Sequence, residues 1–138
     1  MGGRRTRLTG GTLVLDSQGL SLVIDDDPAA IAHLKVARRR GAEVVISALT
    51  ILEAAHPDVK AARLEWVLSA LAKVAPSMEI IKHALELLSA SRLRCHAHAI
   101  DAVVAATALR QPAPVTMLTS DPVDMRRLCG DAVLIIPV

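Results

Sequence analysis

The chain has 138 residues, 52% of them hydrophobic and 22% charged, which suits one packed domain. No apolar run approaches the roughly 20 residues of a membrane-spanning helix, and no signal-type stretch follows the first arginines, so neither membrane insertion nor secretion is expected. A formal charge of +2 does not by itself call for nucleic acid, and two cysteines, Cys95 and Cys129, give no disulfide framework, so a reducing, cytoplasmic setting is expected.

Residues 1–11 read as a flexible basic tail containing Arg4, Arg5 and Arg7, followed by a single domain over residues 12–138. Aromatic side chains are limited to Trp66, so the core must be built from Leu, Val, Ile and Ala. The first apolar run is "TLVLD", a short β-branched strand ending in Asp16. "SLVIDDD" follows, another hydrophobic run with an acidic cluster at Asp25, Asp26 and Asp27. Asp27 before Pro28 is a helix N-cap signal for "AAIAHLKVARRRG", which stops at Gly41. Asp25 and Asp26 would then favour the positive end of that helix, and Arg38, Arg39 and Arg40 its negative end.

"EVVIS" is a second strand, and Ser47 caps a helix over "ALTILEAAH" that contains Glu53. "VKAARLEWVLSALAKV" and, after Ser77, "MEIIKHALELLSAS" read as two amphipathic helices. "HAHAIDAVVAATALR" is apolar almost all round, a buried helix that nevertheless carries Asp101. "VTMLTSD" is a third strand, Asp121 and Pro122 repeat the cap signal before "VDMRRLCG", and "AVLIIPV" is a last strand. Continuous apolar strands separated by helices predict a three-layer α/β/α sandwich with a mainly parallel central sheet.

The triple aspartate invites comparison with a receiver domain, but residues 61–75, where a phosphoacceptor aspartate should fall, contain none. Capping accounts for the cluster. Four other carboxylates are better placed for chemistry: Asp16 and Asp121 at strand ends, Glu53 and Asp101 on helices. Ligands of an open parallel sheet gather outside the carboxyl ends of its strands. A buried charge among Ile100, Ala102, Val104 and Ala105 needs compensation, and a divalent cation shared by several acids supplies it. Oxygen-only clusters suit Mg²⁺ or Mn²⁺, which bind phosphodiesters and lower the pKa of an attacking water. Each acid also has an ordinary role open to it: Asp16 and Asp121 as caps, Glu53 as a surface residue.

From "VLDSQGL" through "VISALTILEAAH" and "HAIDAVVAATAL" to "LTSDPVDMRRL", the chain resembles a PIN domain, the fold of toxin ribonucleases of the VapC type. The resemblance implies a Mg²⁺- or Mn²⁺-dependent endoribonuclease whose catalytic acids fall on Asp16, Glu53, Asp101 and Asp121. Asp124 occupies a further acidic metal position, and Ser120 or Thr119 would assist as hydroxyl groups. It also implies a homodimer silenced by a small antitoxin protein. Arg126 and Arg127, beside the Asp121 turn, are candidate phosphate contacts for an RNA substrate. The competing expectation is a PIN-like module that binds RNA or protein and cleaves little.

Overall fold

The computed structural model describes residues 10–138. Arg4, Arg5, Arg7 and most of the basic segment therefore lie outside the described residues. Gly10 and Gly11 belong to the packed chain: a Cβ on Gly10 would lie 2.2 Å from the Gly41 carbonyl oxygen, and the Gly11 carbonyl accepts the Glu43 N–H at 3.2 Å.

Five parallel strands form one sheet, β1 (Thr12–Leu15), β2 (Glu43–Ser47), β3 (Ala72–Val74), β4 (Val115–Thr119) and β5 (Val133–Pro137), in the order β3-β2-β1-β4-β5. Successive side chains of a strand point to opposite faces. Val14 and Met117 accordingly pack on one side, against α5 (Met78–Ser91), α6 (Cys95–Leu109) and α7 (Pro122–Cys129). Leu13, Leu15 and Leu118 pack on the other, against α1 (Ser17–Ile24), α2 (Pro28–Arg39) and α4 (Ala61–Ser69). This is the three-layer sandwich expected from the strand pattern. The short α3 (Ala48–Ala54) follows β2 directly, and no described helix is long and apolar enough to cross a membrane.

Two elements differ from the sequence pattern. "SQGLSLVI" forms α1, because Asp16 caps it and Gly19 allows it to sit close on β4: a Cβ there would lie 3.1 Å from the Leu118 carbonyl oxygen. The segment at 59–74 is not one helix. It breaks after Ser69, and Ala72–Val74 turns back to pair with Val45–Ser47 as an edge strand. The turn is held by Lys73, whose Nζ donates to the carbonyls of Leu68 and Leu71 at 2.8 and 3.0 Å.

The acidic cluster divides between two helix ends. Asp27 caps α2, its Oδ2 accepting the Ala30 N–H at 3.0 Å, as the Asp-Pro signal predicts. Asp25 and Asp26 instead lie at the C-terminal end of α1, Asp26 with φ +57°. That corrects their expected role at the start of α2. Negative charge is unfavourable at a helix C-terminus, and Arg63 offsets it: its guanidinium donates to the carbonyls of Val23 and Ile24 and to Asp26 Oδ1 at 2.8 Å.

Candidate active site

β1 and β4 are central neighbours, and the chain runs outward from β1 to β2 and β3 on one side and from β4 to β5 on the other. The strand order thus reverses between them, and a crevice opens at their carboxyl ends. Asp16 and Asp121 stand at that point, immediately after β1 and two residues beyond the end of β4.

Asp16 is 5% exposed and joins three elements. Its Oδ1 accepts the Gly19 N–H at 2.9 Å and caps α1, while Oδ2 accepts the Ser120 N–H at 3.3 Å from the turn after β4. A carboxylate has about four lone-pair positions, so each oxygen keeps one free for a ligand. The capping role open to Asp16 is therefore real and compatible with chemistry. For Asp121 the outcome differs. It occupies the N-cap position of α7, yet its side chain makes no capping hydrogen bond. The turn is held instead by buried Thr119, whose Oγ1 accepts the Asp121 N–H at 2.9 Å, leaving the carboxylate uncommitted.

Asp101 lies where α6 passes from exposed first turns to the fully buried run at 102–108. Burial pushes its pKa up to about 6, and the negative charges of Asp121, Glu53 and Asp16 push in the same direction, against a smaller opposing effect of His98. Four of the sequence-derived acids therefore share one electrostatic field. Glu53 reaches it from exposed positions on α3. Asp124, in the first turn of α7, joins through His98, whose Nδ1 lies 3.5 Å from Asp124 Oδ2 and 3.9 Å from Asp101 Oδ2.

The arginines are less convergent. Arg127 donates to the Ser91 carbonyl at 2.6 Å, which ties α7 to the end of α5, and Arg126 is exposed. Ser120 meets the site through its backbone N–H on Asp16. Two residues absent from the sequence-derived set carry buried polar atoms without a hydrogen-bond partner, Thr50 Oγ1 and His98 Nδ1. Thr50 precedes Glu53 by one helical turn, a spacing visible in the sequence. His98 likewise precedes Asp101 by three residues, a helical neighbour spacing, whereas the local break in α6 at His98 has no such signal.

The converging donors are carboxylate oxygens, the set that suits hard cations. Among the described residues no three acid, imidazole or thiol groups stand close enough to enclose an ion unaided. Mg²⁺ retains several waters and is commonly held by one or two carboxylates. Asp16, Asp101 and Asp121, with Glu53 and Asp124 beside them, fit a hydrated ion of that kind in donor chemistry.

No protein-family model matches the sequence, and no curated protein matches it. Among solved structures, a chain in the crystal structure of VapBC2 from Rickettsia felis, bound to a DNA fragment from their promoter, superposes with a TM-score of 0.70. The match covers 92% of this chain and 98% of the other at 16% identity. At that identity the likeness establishes the fold. The chain has the fold of that neighbour, a PIN-like three-layer sandwich.

Proposed function

We propose that the protein is a Mg²⁺- or Mn²⁺-dependent endoribonuclease, the toxin of a toxin–antitoxin pair. The observation that carries this reading is the convergence of Asp121, Glu53 and Asp16 on Asp101 at the β1–β4 switch point, where burial first and these negative charges second push the Asp101 pKa up to about 6. Carboxylates held against mutual repulsion favour a divalent cation, since opposite charge lowers a carboxylate's pKa.

Asp16, Asp101 and Asp121 would hold the ion, with Asp124 as a further ligand. A bound divalent ion supplies charge neutralisation of the phosphodiester and acidification of an attacking water. Glu53, exposed on α3, would orient that water. Asp16 would be held in place by the Gly19 and Ser120 N–H groups, and Thr119 would fix the turn that aims Asp121. Ser120, Arg126 and Arg127 would contact substrate phosphates, Arg127 after release from Ser91.

A small antitoxin is the proposed protein partner, and the active form is a homodimer. The solved neighbour is itself an assembly named VapBC2. On this chain, a groove of about 230 Å³ is lined by Ile31, Leu34, Trp66, Val67 and Leu71, with Trp66 68% exposed, an apolar seat for a partner segment. A PIN-fold module that binds RNA or protein and cleaves little is the second reading.

The test is cleavage of a mixed structured RNA by the purified protein with Mn²⁺, with EDTA, and with Asp101→Asn alongside. Cleavage that needs both Mn²⁺ and Asp101 is the expected outcome. Wild-type cleavage by Asp101→Asn sinks the mechanism, and folded protein that binds RNA without cutting it supports the binding module.

A further inference from the structure

His98 sits at the one residue inside α6 whose backbone leaves helical geometry, with φ −124° and ψ +16°. The break follows an exposed first turn and lies one turn before the fully buried run at 102–108. The imidazole is largely enclosed, 23% exposed, and its Nδ1 is sealed from solvent without a hydrogen bond of good geometry. That atom faces two carboxylates, Asp124 Oδ2 at 3.5 Å and Asp101 Oδ2 at 3.9 Å, themselves 24% and 26% exposed. A bare nitrogen lone pair in that position would face only other lone pairs, whereas an N–H there completes an interaction with either acid.

The geometry points to His98 as a positioning residue: its Nδ1–H bridges Asp101 on α6 and Asp124 on α7, setting the distance between Asp101 and the turn that bears Asp121. The arrangement has the form of an outer-shell contact that orients carboxylates, whose loss commonly costs 10–100-fold in ion affinity. Its effect on ion binding rests on the metal-site reading above; its effect on the two carboxylates does not. Asp101 and Asp124 come from different helices, and α7 is otherwise joined to this side of the molecule by apolar packing of Met125 and Leu128 and by the Arg127–Ser91 bond. At the site itself, His98 is the polar side chain that stands between the two carboxylates.

A residue that only fills space and a residue that presents Nδ1–H respond differently to substitution. Asparagine places an amide N–H near the Nδ1 position; glutamine reaches toward Nε2 and fills more volume. The experiment measures the His98 ring ¹⁵N shifts of the full chain in EDTA, then Mn²⁺ affinity by calorimetry for wild type, His98→Asn, His98→Gln and His98→Ala. The expected result is hydrogen on Nδ1, near-wild-type affinity for His98→Asn, and weakening of about 10-fold or more for the glutamine and alanine variants. Hydrogen on Nε2 alone, or equal affinities for the asparagine and glutamine variants, overturns the assignment. The ring measurement needs no metal. A wild-type chain that binds no Mn²⁺ therefore overturns the metal-site reading and leaves the tautomer to decide His98.

Discussion

Asp101 and Asp16 show how one residue type is used in opposite ways. Asp16 is buried but tied by two backbone N–H groups, whereas Asp101 is raised to about 6 by desolvation and by its acidic neighbours. The unfolded chain ionises Asp101 near the ordinary value of 3.8, so between there and about 6 the folded state holds a proton that the unfolded state has lost. The associated stability is complete below the unfolded pKa and disappears as pH rises through the folded one. Metal-free protein is thus expected to lose on the order of 2 kcal/mol from this group between about pH 4 and 7, after discounting for partial exposure. Urea titrations in EDTA across that range measure it, and Asp101→Asn should remove the slope and be more stable than wild type at pH 7. Asp16→Ala should cost about 1–3 kcal/mol, because the Gly19 cap is lost and the Ser120 N–H loses its acceptor. Asp121→Asn should stay within about 0.5 kcal/mol of wild type, since that side chain caps no helix and makes no hydrogen bond among the described residues.

The α2 cap and the α1 terminus separate residues that stand side by side in the sequence. Asp27→Ala is expected to destabilise the chain by about 1 kcal/mol through loss of the α2 cap. Asp26→Asn, by contrast, should leave RNA cleavage unchanged, because Asp26 serves the α1 terminus through Arg63. Chemical denaturation reads the first and the nuclease assay the second. The caps at Asp27, Ser47 and Ser77 were legible in the sequence because each is a local hydrogen bond with a fixed offset. α1 was not, since the short apolar stretch that ends it fits strand and helix alike and its geometry is decided by the approach of Gly19 to β4. β3 was hidden because its three residues continue an amphipathic pattern, and only pairing with β2 makes them a strand. Among the acids, Asp101 announced itself by its apolar neighbours; the bend that turns His98 inward is a tertiary effect with no local sequence cause.

The parallel sheet brings Asp16 and Asp121, 105 positions apart, into the surroundings of Asp101, and on the proposed reading a divalent ion balances that charge. A ligand that binds only the folded state stabilises it by mass action, about 2.7 kcal/mol at a hundredfold excess over Kd. Thermal unfolding should therefore shift upward with added Mn²⁺, return to baseline with EDTA, and respond weakly in Asp101→Asn. A chain that melts identically with and without Mn²⁺ would oppose an ion at this site. The division of labour between Asp16 and Asp121 also shapes what selection can do. If the protein is the toxin proposed above, a population escaping its activity can discard Asp121 and keep an intact fold. Discarding Asp16 removes a junction of α1, β1 and the β4–α7 turn as well, and with it much of the protein's abundance. Silenced descendants should accordingly carry their lesions at Asp121 more often than at Asp16.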